Sequence, residues 1–349
     1  MPRSGKLVRI SLVVAAAAAV AVVAVVTAGT ASARSSSNGV TGAGSTFVAP
    51  LVATWMSPVK QQLGLQLSYN AIGSGGGVSA ITNKQVDFGA SDAPLSQFNP
   101  TCSTCVQVPW ALAATGVMYN LPGLSNLRIT GSVLAQIYMG KITKWNARVL
   151  RKLNKGKSLP NTPITVVHRS DSSGTTYNFT DYLSRVSHAW KSGPGTGTAV
   201  NWPTGEGEKG SSGVSGAVRG TTGAIGYADV YYALHNRFGL FRIKNRSGTF
   251  AKPSAKAIVA AAQLDTHPKK DGSLSIVNPP KSQKYRSAYP ICTYTYVDVQ
   301  KTTSNAAGIK KLLNWAVTKG QKYGKPILFE PLPTGVVTFD KKQIKKIHS

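Results

Sequence analysis

Residues 166–176, Val-Val-His-Arg-Ser-Asp-Ser-Ser-Gly-Thr-Thr, constrain the fold and chemistry of this chain more than any other segment. A β-type run ends there in a polar turn, and an amphipathic helical pattern follows. Ser173, Gly174 and Thr175 fall in the predicted first turn, where backbone N–H groups lack helical partners and the helix dipole is positive. The guanidinium of Arg169 can add two parallel charge-assisted hydrogen bonds to an anion bound at these N–H groups. The segment therefore predicts an anion site.

Two other junctions have the same design. Residues 42–47, Gly-Ala-Gly-Ser-Thr-Phe, precede a helical pattern that starts at Val48, and residues 73–77, Gly-Ser-Gly-Gly-Gly, follow an alternating strand and precede a second helical pattern. Taken singly, such a turn is usually only a helix cap. Three such turns together with an arginine favour the binding of an anion.

The first 33 residues have the composition of an export signal. Basic residues at positions 3, 6 and 9 flank an apolar run over residues 12–26, and Ala31-Ser-Ala fits a signal peptidase site. No cysteine lies nearby that could carry a lipid anchor. Because the apolar stretch approaches the length that spans a bilayer, cleavage and retention by an uncleaved leader stay alternatives. The expected location is periplasmic, or extracellular at the cell surface.

Length and charge limit the classes of function. The chain has 349 residues, so the mature part exceeds what one core usually supports and predicts two domains. Forty Lys and Arg against 12 Asp and Glu give a net charge of +28, which attracts anions. The cations are scattered and accompany no recognition motif, so no specific nucleic-acid partner is expected. The scarcity of carboxylates also suggests an acidic external medium, because few groups would lose charge on acidification.

The three cysteines predict a small disulfide. Cys102 and Cys105 are separated by two residues in a loop that follows a proline, and they lack the partners of a four-ligand zinc site. Export permits a disulfide between them. Cys292 would then keep a free thiol, inside a strand. No metal and no cofactor is expected.

Apolar runs alternate with helical patterns along most of the chain, which predicts α/β layers. The predicted strands are residues 86–90, 106–119, 164–168, 224–230 and 294–299. The predicted helices are residues 132–138, 176–186, 255–263 and 306–323. Residues 193–220 are rich in Gly, Ser and Thr and are predicted to form a long surface loop or lid.

Seven motifs, in one order, make this chain resemble a known family. They are residues 41–47, 72–77, 86–94, 119–123, 137–142 with Trp145, 169–175 and 223–227. The chain is similar, over nearly all of its mature length, to the exported phosphate-binding proteins of the high-affinity phosphate ABC transporter.

This resemblance implies an α/β fold of the type II periplasmic-binding-protein kind, with two lobes and two hinge crossings near Ala114 and Cys292. One lobe would hold residues 40–114 plus 292–349, and the other residues 115–291. The resemblance further implies a monomer that binds inorganic phosphate between the lobes, closes over it and delivers it to the membrane permease subunits of the transporter.

The resemblance also assigns ligand contacts, position by position. Asp171 would pair with Arg169 and orient it. The implied phosphate contacts are Thr46, Phe47, Ser74, Asp92, Arg169, Ser173, Gly174 and Thr175.

Asp92 explains how such a site could distinguish anions. Phosphate near neutral pH keeps a proton that a carboxylate can accept, whereas sulfate offers only acceptors. A lost charged hydrogen bond costs on the order of 2 to 5 kcal/mol, enough for roughly 30-fold or greater discrimination. Read alone, Ser-Asp-Ala-Pro is also a good capping turn. A receptor for another tetrahedral oxyanion and a cationic surface protein that binds polyanions stay as alternatives.

A hydrolase is the rival class. Ser173, His168 and Asp171 are the residue types of a catalytic triad, but they lie within six residues and lack the Gly-x-Ser-x-Gly elbow. Because chain neighbours seldom converge as nucleophile, base and orienting group, the chain is not expected to be an enzyme.

Overall fold

Strands and helices alternate along the chain. The computed structural model describes residues 38–349, so the predicted leader, residues 1–33, lies outside the described residues. The strands are β1 Gly39–Gly44, β2 Gln66–Asn70, β3 Phe88–Ser91, β4 Cys105–Tyr119, β5 Arg128–Thr130, β6 Thr165–Arg169, β7 Glu206–Glu208, β8 Ala224–Asp229, β9 Gly239–Leu240, β10 Arg242–Lys244, β11 Phe250–Ala251 and β12 Cys292–Gln300.

The helices are short to medium in length. They are α1 Ala49–Leu63, α2 Ser74–Thr82, α3 Gly131–Tyr138, α4 Arg148–Leu153, α5 Gly174–Val186, α6 His188–Ser192, α7 Gly210–Gly220, α8 Val230–His235, α9 Ala255–Ala262, α10 Ala306–Ala316 and α11 Thr334–Lys345. Among residues 38–349, no helix is long and apolar enough to cross a membrane.

The strand β4 joins the two halves of the main sheet. The sheet has nine strands in the order β2-β1-β3-β12-β4-β8-β6-β7, with β9 also beside β4. Through residues 105–114, β4 pairs with β12, and through residues 115–119 it pairs with β8. A smaller sheet has the order β11-β10-β5. The mixed α/β architecture predicted from the alternating patterns is confirmed.

Aromatic clusters pack against both parts of this sheet. Trp110 makes edge-on contacts with Trp55 at 5.3 Å and with Phe88 at 5.6 Å between ring centroids. In the second cluster, Phe179 stacks on Tyr227 at 4.3 Å. Such pairs add stabilisation beyond the area they bury, so the strand ends are held by rigid packing.

Most predicted elements agree with the structure to within two residues, but two predictions are wrong. Residues 193–220 are not a continuous loop, because they contain β7 and α7. Val214 and Val218, one turn apart, are fully buried on α7, and their packing outweighs the low helix propensity of the surrounding glycines. The helix predicted for residues 306–323 ends at Ala316, and a 3₁₀ turn covers Lys319–Tyr323.

The cysteines have different environments. Cys102 and Cys105 are joined by a disulfide bond just before and at the start of β4. Cys292, the first residue of β12, is a buried free thiol. Burial raises the pKa of this thiol far above its usual value, so it is not a reactive thiolate.

One glycine of α2 fixes how closely that helix approaches the sheet. A Cβ atom at Gly77 would lie 2.5 Å from the Cα of Gly44 and 2.9 Å from the carbonyl oxygen of Ala90. Both neighbours are backbone atoms of β1 and β3, so they cannot move aside cheaply. The glycine therefore allows the N-terminus of α2 to sit directly on two parallel strands.

We expect Gly77→Ala to destabilise the protein by about 1–3 kcal/mol or more, because the helix must be pushed off the sheet. Gly216→Ala is the matched control: it lies in the exposed interior of α7 and its added Cβ meets nothing within 4 Å. The control should stabilise the protein by about 0.5–1 kcal/mol. Urea denaturation measures both, and equal effects of the two variants would contradict this packing.

Two of the few carboxyl groups are buried without a hydrogen-bond partner among residues 38–349. They are Asp298, in β12, and Asp340, in α11, and in each both side-chain oxygens lack a partner there. Burial raises the pKa of Asp298 to about 8 and that of Asp340 to about 9. Because the folded state binds these protons more tightly than the unfolded state does, folding is favoured where they are bound.

Stability should therefore fall as the pH rises from about 4 to about 9. Asp340→Asn should flatten the upper part of this dependence, since it removes the group with the higher pKa. Asp271→Asn is a control, because hydrogen bonds from Ser273 outweigh burial and lower the pKa of Asp271, so it titrates below this window. Thermal unfolding at several pH values is the measurement, and a melting temperature that rises across the window would contradict the prediction.

Candidate functional site

Three turns, which follow the carboxyl ends of β1, β3 and β6, meet around Asp92. Ser45 to Val48 follow β1, Asp92 follows β3, and the turn after β6 leads into α5. β1 and β3 are parallel neighbours, so their following loops lie at the same edge of the sheet, which is where open α/β sheets bind ligands. β6 runs opposite to β3 in the sheet, and the helix that follows it reaches Asp92 through Thr175. The sequence places small polar residues in these turns, so backbone groups can approach one another.

Asp92 is the centre of this arrangement, with only 1% of its surface exposed. Ser45 Oγ donates a hydrogen bond to Asp92 Oδ1 at 2.6 Å, and Thr175 Oγ1 donates to Oδ2 at 3.2 Å. Burial raises the pKa of Asp92 to about 6, although the hydrogen bonds from Ser45 and Thr175 and the charge of Arg169 act in the opposite direction. The carboxylate is thus mainly ionised at neutral pH, yet close to its titration range.

Arg169 ends β6 and is 3% exposed. Its Nε donates to Asp171 Oδ1 at 2.6 Å, and its Nη2 pairs with the second carboxylate oxygen. Burial acts to raise the pKa of Asp171, but the hydrogen bonds and charge of Arg169 outweigh it and lower that pKa. The N–H of Gly210 also donates to Asp171, at 3.1 Å. Asp171 therefore fixes the guanidinium in one orientation.

Ser74 and Gly174 bring the N-termini of α2 and α5 into contact. The N–H of Gly174 donates to Ser74 Oγ at 3.0 Å, and the N–H of Asp92 approaches the same oxygen at 3.4 Å. A Cβ at Gly174 would lie 2.6 Å from the backbone nitrogen of Asp92. Only glycine permits this approach. By position, the N–H of Thr175 has no partner within α5 and is available to an anion.

Thr46 makes a third link, to the start of α7. The N–H of Ser211 donates to Thr46 Oγ1 at 3.0 Å, and the two hydroxyl oxygens are also 3.0 Å apart. Tyr232 donates its hydroxyl hydrogen to the carbonyl of Thr46, likewise at 3.0 Å. The turn after β1 is therefore held to α7 and α8.

Two predicted residues have side chains that serve the fold. The Phe47 ring packs edge-on against Phe329 at 6.0 Å, while its N–H donates to Ser45 Oγ. Ser173 Oγ caps α5 by accepting from the N–H of Thr176 at 3.2 Å. Both residues lie beside the cluster formed by Thr46, Ser74, Asp92, Arg169, Gly174 and Thr175, which the structure brings together.

Sequence reasoning missed four residues that contact or lie close to this cluster. Ser45 makes the shortest hydrogen bond to the Asp92 carboxylate, and Ser211 and Tyr232 contact Thr46. Asp229 is fully buried and caps α8 by accepting a hydrogen bond from the N–H of Tyr231. Burial raises the pKa of Asp229, and the negative charge of Asp92 nearby raises it further. Ser45 lies within the motif of residues 41–47, but no role was predicted for it. Ser211 lies in α7, which was predicted to be part of a loop.

The residues of the rival triad do not assemble. His168 Nδ1 lies 3.1 Å from the backbone carbonyl of Arg169, and its ring stacks on Trp202 at 4.6 Å. Ser173 caps a helix and Asp171 holds Arg169. None of the three is arranged as nucleophile, base and orienting group. Within residues 38–349, no cluster of His, Cys, Asp and Glu is suited to hold a metal ion.

Comparison with known proteins shows the family to which the chain belongs. A family model described as the PBP superfamily domain matches residues 27–319. The phosphate-binding protein PstS of Xylella fastidiosa is 39% identical over 304 residues, 85% of this chain and 82% of that protein. PstS of Haemophilus influenzae is 37% identical over 316 residues, 89% of this chain and 94% of that protein.

A solved structure supports the fold independently. It is that of a high affinity periplasmic phosphate-binding protein, PfluDING, bound with phosphate, with a TM-score of 0.68 and 20% identity over 87% of this chain and 93% of that chain. The predicted α/β fold of type II periplasmic binding proteins is confirmed. The chain belongs to the PstS family of phosphate-binding proteins, within the PBP superfamily.

Proposed function

We propose that this protein is an extracytoplasmic receptor that binds inorganic phosphate and delivers it to the permease of an ABC transporter. One observation carries the proposal: a buried, ionisable carboxylate, Asp92, lies in a cluster that otherwise offers hydrogen-bond donors. The names of the relatives, phosphate-binding proteins, support the same ligand.

The donors supply the affinity for an oxyanion. The guanidinium of Arg169 is oriented by Asp171, and the amides at the start of α5 sit at the positive end of its dipole. The hydroxyl groups of Thr46, Ser74 and Thr175 can turn their hydrogens toward a ligand, because a hydroxyl hydrogen can rotate about the C–O bond. These groups are nearly inaccessible to water, which strengthens each charged hydrogen bond.

Asp92 supplies the choice between anions. Hydrogen phosphate carries a proton that the ionised carboxylate can accept, whereas sulfate has none to offer. A buried carboxylate facing sulfate would meet a second negative charge and no proton between them. Selectivity of this kind depends on a group that repels the wrong ligand.

We further propose that the ligand closes two lobes, residues 40–114 plus 292–349 and residues 115–291. The pairing of β4 supports this division, because it passes from β12 to β8 between Ala114 and Thr115. Thr46, Ser74 and Asp92 belong to the first lobe, and Arg169, Gly174 and Thr175 to the second. A phosphate that contacts both sets favours the closed arrangement.

The proposed activity is binding without covalent chemistry. The separation of Ser173, His168 and Asp171 into structural roles supports this, as do relatives that are named as binding proteins. The predicted signal over residues 1–33 supports export, and the protein would act as a monomer.

Calorimetric titration with phosphate and then sulfate, at low and high salt, tests the proposed function. We expect phosphate to bind at one site, much more tightly than sulfate, with little dependence on ionic strength because the charges are buried. Binding that fades with salt and ignores the identity of the anion would refute the receptor assignment.

Asp92→Asn should weaken phosphate binding about tenfold to a hundredfold, since a charged hydrogen bond is worth about 1.5–3 kcal/mol. The affinity for sulfate should stay the same or increase, because the variant lacks the negative charge that repels sulfate. Asp271→Asn removes the same charge at an exposed position and should change neither affinity. If Asp92→Asn keeps the phosphate-to-sulfate ratio of the parent, Asp92 is not the selective group.

Arg169→Lys should weaken phosphate binding by about tenfold or more, since a lysine keeps the charge but loses the planar fork. Arg185→Lys is the matched control, because Arg185 forms the other ion pair of the described chain, with Asp181 on the surface at 2.9 Å. Titration calorimetry and thermal unfolding should be run on both. Equal losses of affinity would contradict a direct role for Arg169.

A further inference from the structure

A groove on the surface, which we call the basic groove, gathers five cationic side chains. It encloses about 430 Å³, and its cations are Arg128, Lys152, Lys155, Lys157 and Arg242. None of them belongs to the candidate phosphate site. The sequence scatters these residues over more than a hundred positions, so the fold alone brings them together.

Backbone pairing fixes the walls of the groove. Arg128 of β5 and Arg242 of β10 are partners in a parallel register, so their side chains are neighbours. Asn154 is buried and clamps the turn after α4 to β5: it accepts from the N–H of Arg128 at 2.7 Å and donates to its carbonyl at 3.0 Å. The turn that carries Lys155 and Lys157 is therefore held beside β5, which carries Arg128.

Neutral groups hold the cationic side chains in place. Arg242 Nη2 donates to Asn126 Oδ1 at 3.3 Å, and Lys157 Nζ donates to the carbonyl of Ser125 at 2.8 Å. The guanidinium of Arg128 lies over the ring of Phe250, 5.4 Å from its centroid. These contacts orient the charges without neutralising them.

The two chain segments that build the groove contain no carboxylate of their own. The sequence has no Asp or Glu over residues 93–170 or over residues 230–264, the two segments that build the groove. Both ion pairs of residues 38–349, Arg169 with Asp171 and Arg185 with Asp181, lie elsewhere. Five like charges in one groove repel one another, and a bound anion removes that repulsion.

The strip of charge is longer than the groove. Lys244 Nζ lies 5.9 Å from the centroid of the Phe250 ring that Arg128 also covers. Arg148 precedes Lys152 by four residues on α4 and is exposed on the same face of that helix. A single small ion would meet only part of this strip, whereas a linear polymer could follow it.

Among residues 38–349, no large exposed hydrophobic residue lines the groove; Leu153, the leucine of its lining, is partly buried. The large hydrophobic residues exposed within residues 38–349 are Leu234 and Val259, and neither lines the groove. Without such residues there is nothing to insert into a bilayer. Phe250, the aromatic ring beside the groove, already contacts the cations of Arg128 and Lys244.

We propose that the basic groove binds a linear polyanion whose repeating units carry phosphate groups, as in the phosphate polymers of cell envelopes. This surface is separate from the site for inorganic phosphate. It would retain the exported protein near such a polymer while the other site captures its ligand.

Long-chain inorganic polyphosphate is the probe, titrated against the purified protein at several salt concentrations. The groove variant carries three substitutions together, which are Arg128→Gln, Lys152→Gln and Arg242→Gln. The matched control is Lys341→Gln with Lys342→Gln and Lys345→Gln, three exposed cations of α11. The titration of inorganic phosphate serves as the check that each variant is folded.

We expect the groove variant to weaken polyphosphate binding at least tenfold and to reduce the salt slope by about 2, since each contact contributes about 0.7. The α11 variant should change the affinity no more than about twofold, because distant charges are screened. Saturating inorganic phosphate should not displace the polymer.

Three results would overturn the proposal. Equal losses in the two variants would mean that diffuse charge, and no particular groove, holds the polymer. Displacement by inorganic phosphate would assign the binding to the other site. Binding to vesicles of phosphatidylglycerol but not to polyphosphate would identify a membrane surface as the partner.

Discussion

The burial of the Asp92 carboxylate governs the candidate site. Removing a negative charge from water is costly, and the cost is offset here by hydroxyl donors from Ser45 and Thr175 and by the nearby charge of Arg169. These donors come from the turn after β1 and from α5. The single carboxylate therefore requires two segments that are far apart in the sequence to stay close together in the fold. Burial, opposed by these donors and this charge, leaves the pKa of Asp92 at about 6, above its usual value but low enough for the group to be mainly ionised at neutral pH and to accept a hydrogen bond.

Close backbone approach is the second requirement. Gly77 lets α2 rest on β1 and β3, and Gly174 lets α5 reach the backbone of Asp92. A Cβ at either position would lie 2.5–2.6 Å from a backbone atom, which is too close for two atoms that are not bonded. The helix N-termini therefore converge because side chains are absent there, and the converging amides provide the positive potential that an anion needs.

The sequence was informative where local chemistry decides the outcome. The turn from Arg169 to Thr175 could be assigned because a strand pattern, a serine cap and a glycine stand together, and the structure has β6, the Ser173 cap and α5 at those positions. The sequence was misleading where packing decides. α7 was predicted as a loop because its glycines and serines are poor helix formers, while Val214 and Val218 hold it against the sheet. Ser211 was missed for the same reason.

The basic groove illustrates the other limit of sequence reasoning. Its cations look like ordinary solvated residues along the chain, and only the pairing of β5 with β10 and the clamp of Asn154 place them side by side. The protein thus holds positive charge in two forms. Arg169 is buried and is oriented by Asp171, whereas the cations of the basic groove are at least partly exposed and form no ion pair within residues 38–349. The first suits a small anion that must be distinguished from its analogues, and the second suits a polymer that is recognised by charge.

A crystal structure determined with phosphate addresses the receptor assignment most directly. The geometry predicts one ordered phosphate within hydrogen-bonding distance of the Asp92 carboxylate, the Arg169 guanidinium and the amides that begin α5. An oxygen of that phosphate should lie close enough to Asp92 to share a proton with it. Phosphate found elsewhere, or a cluster that stays closed and empty at saturating phosphate, would contradict the assignment.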